Sequence, residues 1–394
     1  MEPAAMDAVL IPTFLCLGLG AALYARVIPQ GGRSWWAWAA AMVALVLASR
    51  LAGHAWPALV LADLAELAAV GLVASAATPD ATAAARKYLL AVVLAVLLGG
   101  FARIMIGLGP DSSTARVAVA ALVVAFALRV GLVPVYFWLP AVARATSAMT
   151  TALIIGVVDV GAFCELLALR QNAPWVFEHF PAVWIALAVA SMLGGALLAL
   201  AQSELKPMLA FSSIADLGAL LLGLLLGGRD GSAAAWFGIL SHGCAKLVLF
   251  GAVGAAEFSL GRPVTLTTRG LAARLPLASA AFMLAAAAVV GIPPTLGFVG
   301  HWRLILAGAE LGGAALVAVE LAATALALLV YVRAIHRTWL GPGTIAETGR
   351  PMPATAGAVL LVFALAPVLF GFMPDRLAPA APPPALAALE GASR

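Results

Sequence analysis

Two of the long apolar segments in this chain are interrupted in the same way, one at Gly131-Leu132-Val133-Pro134 and the other at Gly291-Ile292-Pro293-Pro294. A proline inside a helix removes a hydrogen bond and clashes with the preceding turn, so neither segment is expected to run as one straight helix. In a bilayer the freed backbone groups are tolerated only where protein or a cavity satisfies them again. Matched breaks in two halves of a membrane chain point to inverted repeats, with the broken helices lining an ion or substrate path near the midplane.

The bilayer follows from composition. Hydrophobic residues make up 64% of the chain and charged residues only 10%, with a mean hydropathy of +1.08; a water-exposed surface needs far more charge. A hydrocarbon core of about 30 Å takes about 20 apolar residues per helix. That window gives about twelve spans, near 8–28, 35–54, 57–77, 88–108, 116–139, 147–169, 182–202, 207–227, 233–257, 276–308, 312–335 and 354–373. The expected fold is therefore an all-α polytopic membrane protein. It forms a single transmembrane domain over 1–373, with one five-helix repeat over about 35–170 and an inverted second over about 182–335. The stretch 374–394 is a Pro/Ala-rich tail that cannot bury a core.

Loop charges give an orientation. Loops after odd-numbered spans hold Arg26, Arg33, Arg86, Lys87, Arg144, Lys206, Arg262, Arg269, Arg274, Arg333, Arg337 and Arg350, whereas those after even-numbered spans hold chiefly Arg50, Arg116, Arg170, Arg229 and Arg376. Odd loops are thus expected inside and both termini outside. Glu2 and Asp7 precede the first span and Arg26 and Arg33 follow it, the reverse of a cleavable signal's charge order, so that span is expected to stay. The net charge of +4 is accounted for by this bias, and nucleic-acid binding is not expected. Cys16, Cys164 and Cys244 stand alone in separate apolar segments without metal-site spacing. No dinucleotide fingerprint, phosphate loop or nucleophile–base set is present, so neither a cofactor nor a catalytic site is expected on this chain.

Four stretches, in order, resemble one family. They are Phe126-Ala127-Leu128-Arg129-Val130-Gly131-Leu132-Val133-Pro134 with Phe137-Trp138-Leu139-Pro140, then Glu204-Leu205-Lys206-Pro207-Met208-Leu209-Ala210-Phe211-Ser212-Ser213-Ile214-Ala215, then His242-Gly243-Cys244-Ala245-Lys246-Leu247-Val248-Leu249-Phe250, and finally Gly291-Ile292-Pro293-Pro294-Thr295-Leu296-Gly297-Phe298-Val299-Gly300. The chain resembles the antiporter-like membrane subunits shared by respiratory complex I, energy-converting hydrogenases and Mrp-type cation/proton antiporters. The usual member has fourteen helices, and this chain looks like one lacking the first two. The resemblance implies the two inverted blocks with the broken helix fourth in each. It also implies partner membrane subunits, a soluble or peripheral energy-supplying partner, protons or Na⁺ as the moving ion, and a bacterial cytoplasmic membrane.

A charge inside the bilayer costs roughly 2.5–3.5 kcal/mol on insertion scales and marks function by default; its bland alternative is a structural ion pair. Asp63 and Glu66 lie three apart on one helical face, and Glu66 matches the family's channel glutamate. Arg129 occupies the place of a family lysine, but guanidinium stays protonated where a desolvated lysine can lose its proton. Asp159 stands where the family usually has a second lysine. Glu66, Arg129 and Asp159 are expected to close into one cluster, either a structural lock or part of the path. His242 and Lys246, at i and i+4, match the family's central residues and can both titrate. Asp216 is placed to pair with one of them. His301 is either the path's end or a snorkelling surface group. Glu204 and Lys206 read as a helix cap or as an inner outlet. Trp35, Trp36, Trp38, Trp56, Trp138 and Trp175 read as an interfacial belt.

The leading functional expectation is a proton- or cation-translocating subunit of a larger energy-converting complex, with Lys246, His242 and His301 as its row. Two others stay open. One is a membrane partner of a complex that takes up dissolved inorganic carbon, and the other is a non-conducting scaffold.

Overall fold

The computed structural model describes residues 3–52, 54–110, 113–340 and 350–377; the greater part of the expected tail, 378–394, lies outside them. The chain is all-α. Its helices are α1 (Pro3–Val27), α2 (Arg33–Leu51), α3 (Ala55–Ala74), α4 (Pro79–Ile106), α5 (Ala115–Val130), α6 (Leu139–Ala145), α7 (Ala148–Leu153), α8 (Val160–Asn172) and α9 (Trp175–Glu178). There follow α10 (Pro181–Ala201), α11 (Leu205–Leu226), α12 (Gly228–Leu260), α13 (Leu271–Arg274), α14 (Pro276–Val290), α15 (Leu296–Ala307), α16 (Gly313–Ala334) and α17 (Ala354–Phe372). Wider π-helical turns join α7 to α8 (Ile154–Asp159) and α15 to α16 (Gly308–Gly312), and a third (Ile335–Trp339) extends α16. Among the described residues the only extended pairing is one bridge between Glu204 and Thr265.

Ten helices of the described chain are long and apolar enough to cross a membrane. One of them runs 44 residues, Leu296–Trp339, and takes in both α15 and α16 across a bend where Gly313 has φ 71°. Two expected spans fall short of a full crossing because they stop at the predicted breaks. The 16-residue α5 ends at Gly131 (φ 69°), and the 15-residue α14 ends at Gly291 (φ 79°). Both glycines are left-handed caps, a conformation that side chains with a Cβ resist.

The helix starts follow local chemistry. At α4, Thr78 accepts a hydrogen bond from the Ala81 amide at 3.1 Å, with Pro79 in the first turn and Asp80 beside it. Small residues set how closely helices approach. A Cβ on Gly195 would meet the Ala215 amide nitrogen at 2.6 Å, and one on Gly218 would meet the Met192 nitrogen at 2.6 Å, so α10 and α11 touch backbone to backbone.

The 33-residue α12 is the axis of the structure. It packs on α7, α11, α14, α15 and α17 and on the Ile154–Asp159 turn, and its apolar stretch is 94% buried. Peripheral helices instead present leucines outward, such as Leu15, Leu19 and Leu23 on α1, the surface that lipid would cover.

The tryptophans expected as an interfacial belt divide by burial. Trp36, Trp38 and Trp56 are exposed, but Trp35 and Trp138 are buried. Trp35 donates to the Thr150 hydroxyl at 2.9 Å. Trp138 donates to the Leu128 carbonyl at 2.9 Å and stacks on Tyr88 with ring centroids 4.3 Å apart. These two are interior posts, because an indole N–H that is buried needs an acceptor and here finds one.

Candidate functional site

Both breaks are repaired by side chains. Past Gly131, the Val133 amide donates to the Ser191 hydroxyl at 3.2 Å, while Trp138 covers the Leu128 carbonyl. Before Gly291, the Val289 carbonyl lies 3.1 Å from His301 Nε2, and Thr295 caps α15 by accepting from the Phe298 amide. A Cβ on Gly291 would sit 2.7 Å from the His301 ring. The second break and His301 are therefore one unit.

Around α12 the expected titratable row assembles. Lys246 is fully buried and its ammonium lies 2.7 Å from Asp216 Oδ2. It also donates to Ser212 Oγ at 2.7 Å and to the Tyr331 hydroxyl at 3.4 Å. His242, one turn earlier, places Nδ1 3.3 Å from the same Asp216 oxygen. Asp216 thus pairs with both. The other ring nitrogen, His242 Nε2, and the neighbouring Ser241 hydroxyl have no protein partner. They line a cavity of about 40 Å³ with Asp216, Val289, Gly297, Gly300 and His301. A water needs ~10–15 Å³ of such space and polar partners, so the cavity can hold a few waters between His242 and His301. Beyond it His301 Nδ1 lies 2.5 Å from Glu320 Oε1, and Glu320 is only 1% exposed. His301 faces inward; the snorkelling alternative fits instead its neighbour Arg303, which is one-third exposed and paired with Asp230.

The first block differs from expectation. Arg129, on the last turn of α5, reaches three carboxylates: Glu66 through Nε, Glu165 through Nη1 at 2.8 Å, and Asp63 through Nη2 at 3.0 Å. Arg103 shares two of them, at 3.0 Å from Glu165 and 3.6 Å from Asp63. Asp63 and Glu66 do share a face, as their spacing requires, and that face meets Arg129. The expected closed trio of Glu66, Arg129 and Asp159 does not form, since both Asp159 oxygens are buried with no partner. The guanidinium fork is already filled by Asp63, Glu66 and Glu165, which leaves Asp159 no donor. On its other side Arg129 lines a cavity of about 250 Å³ with Arg50, Arg103, Glu165 and Asn172.

Glu204 and Lys206 serve the start of α11 differently from a cap. Glu204 makes no side-chain cap and pairs with Arg144 at 3.3 Å. Lys206 is buried, 3.0 Å from Glu257, and donates to the Thr146 carbonyl at 2.9 Å, tying α11 to the turn before α7. Among the described residues no group of three or more His, Cys, Asp or Glu is arranged to hold a metal ion.

Arg103, Glu165, Glu320 and Tyr331 were not singled out by sequence. Each charge among them lies in an apolar span, a signal that stands on its own; the quoted motifs drew attention to their own residues instead.

The family described as NADH:quinone oxidoreductase/Mrp antiporter, transmembrane, matches residues 63–327. The chain belongs to that family. NADH-quinone oxidoreductase subunit N of Geotalea uraniireducens (strain Rf4) is 30% identical over 276 residues, which cover 70% of this chain and 58% of the relative. The chain spans about three fifths of that relative's length. Among solved structures, a chain of the Mrp complex from Dietzia sp. DQ12-45-1b superposes with a TM-score of 0.83 at 23% identity, covering 95% of this chain and 81% of that one. A chain of respiratory complex I from Thermus thermophilus with bound NADH gives 0.81 at 23% identity, covering 95% and 82%. These likenesses give the fold: this is an integral membrane protein built as the membrane subunits of Mrp and complex I are.

Proposed function

We propose that this chain is a proton- or cation-translocating membrane subunit of a larger energy-converting complex of the complex I, membrane hydrogenase or Mrp type. The observation that carries the reading is the second-block row. Lys246 and Asp216 are held against His242, and His242 opens on a cavity also lined by His301, which pairs with Glu320 beside a helix break.

Every charged member of that row except the carboxylates is a lysine or histidine, both of which can give up a proton. A proton on Lys246 passes through Asp216 to His242, then across water in the cavity to His301, whose second nitrogen faces the Val289 carbonyl. The energy for that movement is proposed to come from a partner, as the resemblance to the complex I and Mrp subunits implies. We further propose that 35–170 and 182–335 are inverted repeats and that both termini face outward across a bacterial cytoplasmic membrane.

The test is proton movement in vesicles reconstituted with the chain and its co-purifying subunits, read with a pH-sensitive dye. Replacing Lys246 should remove movement while the subunits still co-purify. Undiminished movement in that variant would take Lys246 off the path.

A further inference from the structure

A cleft of about 500 Å³ lies between α1 and α17, within the size range of small-molecule sites. Leu240 and Cys244 of α12 and Leu296 of α15 complete its wall, which is almost entirely apolar. It opens on the outside of the molecule, since its lining residues Val362 and Phe370 are 66% and 42% exposed. Lipid can therefore enter it.

The two ends of the cleft differ. Arg376, just past the end of α17, is the only charged residue that lines it, and Ala8 lines it near the start of α1. At the other extreme lie Leu17 and, near the middle of the 33-residue α12, Leu240 and Cys244. From Ala8 to Leu17 the helix rises about 14 Å at ~1.5 Å per residue, close to half of an ~30 Å hydrocarbon core. The cleft thus has the depth of one leaflet.

The cation at its mouth is fixed in place and has no protein partner. The buried Trp236 indole donates to the Leu377 carbonyl at 2.8 Å, which pins the segment carrying Arg376 against α12. Among the described residues Arg376 makes no ion pair. The acids nearest the mouth in sequence leave it uncompensated: Asp375 is exposed and does not line the cleft, and Asp7 pairs with Arg50 at 3.7 Å.

Two prolines add an independent mark. Pro12 lies inside α1 and Pro367 inside α17, and because proline has no N–H, the carbonyls of Ala8 and Phe363 four residues earlier lose their usual helical donor. All four residues line the cleft. An unmet backbone carbonyl in hydrocarbon costs several kcal/mol, so a plain alkyl chain is a poor occupant. The fitting one carries a negative head for Arg376, hydroxyl donors for a freed carbonyl, and apolar chains of one leaflet's length.

We propose that this cleft binds one anionic phospholipid of the phosphatidylglycerol class, with its phosphate on Arg376, its glycerol hydroxyls at the Ala8 carbonyl and its acyl chains along α1 and α17 towards Cys244. The site requires a bilayer and makes no use of the translocation reading.

The experiment takes the full chain with its co-purifying subunits in detergent, delipidated and then titrated with dioleoyl phosphatidylglycerol or dioleoyl phosphatidylcholine, with bound lipid counted by native mass spectrometry. One phosphatidylglycerol per chain should bind about tenfold more tightly than phosphatidylcholine, the factor that one charge-assisted hydrogen bond supplies. Arg376→Gln should erase that preference, and Arg376→Lys, which keeps the charge, should retain part of it. Saturating phosphatidylglycerol should also slow alkylation of Cys16, an exposed thiol that lines the cleft, in the native chain and much less in Arg376→Gln. Arg376 is exposed and lies beyond α17, so its substitution leaves the packing intact. Equal binding of the two lipids would mean that the cleft takes bulk lipid only, and overturns the proposal. A preference that survives Arg376→Gln, or Cys16 alkylation unchanged at saturation, puts the lipid elsewhere and overturns it as well. So does failure of both lipids to bind, the result expected if a partner subunit or the chain itself fills the cleft.

Discussion

The charge group around Arg129 and the one around Lys246 each lie near one of the two helix breaks and are built on opposite principles. The first gathers acids around arginines, with the Arg129 fork spread over Asp63, Glu66 and Glu165. The second gathers one acid, Asp216, between a lysine and a histidine, with Ser212 and Tyr331 completing the lysine's bonds. A planar guanidinium that cannot deprotonate suits multidentate holding, whereas an ammonium on a flexible stem suits release. The choice of cation therefore separates a block that holds charge from a block that can pass it.

Removing the holder should have the largest effect. Arg129→Ala leaves Glu66 without a partner and Asp63 and Glu165 with Arg103 alone, and breaking a buried ion pair from one side costs about 3–5 kcal/mol. A large drop in thermal unfolding temperature in detergent is expected, with loss of subunit association. An unchanged unfolding temperature would mean that the arginine is not what holds this block.

Next in size is the exchange that turns the second block into the first. Lys246→Arg keeps a charge against Asp216 but removes the ability to release it. Proton transfer by a positioned group is worth about a hundredfold or more, so vesicle transport should fall by at least that much while the protein still assembles. Transport near the native level would show that Lys246 contributes only its charge, and the contrast between the blocks would collapse.

How much of this was readable beforehand follows the same division. The second-block row was legible because His242 and Lys246 are one helical turn apart and the Gly291 break precedes His301. Their partners were harder: Glu320 and Tyr331 reach the row from α16, which no local spacing reveals. In the first block the spacing of Asp63 and Glu66 carried the shared face, and Arg129 was placed correctly beside the break. Asp159 was not. It was matched to Arg129 by charge sign, and sign alone cannot say which of several acids fills a fork with limited donors. Glu165, six residues further along, competes for the same arginine and lies 2.8 Å from it. The breaks themselves were the most legible feature, since glycine in the left-handed region and proline in mid-segment are local properties.

A smaller effect is expected at the far end of the row. His301→Gln removes the titratable ring facing Glu320 yet keeps an amide able to donate to the Val289 carbonyl. Waters in the adjoining cavity can still bridge part of the way. Transport should fall about tenfold, less than for Lys246→Arg if the usual contribution of a positioned proton donor is the guide. A loss as deep as that of the lysine variant would make His301 an obligatory step.

The smallest effect on stability belongs to Asp159→Asn, and it separates the two principles most sharply. If Asp159 were part of the arginine lock, the substitution would strip a partner from a charge that cannot neutralise itself, at several kcal/mol. Arg129 instead has its fork filled by three other acids, and both Asp159 oxygens lack any protein partner. Replacing an uncompensated buried carboxyl with a neutral amide then removes a desolvation cost and breaks no pair. The variant should unfold within ~1 kcal/mol of the native protein, or slightly above it, a size set by burial of a polar group that finds no new bond. Thermal unfolding in detergent, beside Arg129→Ala in the same buffer, reads the comparison directly. Destabilisation of Asp159→Asn to the level of the arginine variant would place Asp159 inside the lock, and the first block would then hold its charges as four acids around two arginines with no oxygen to spare.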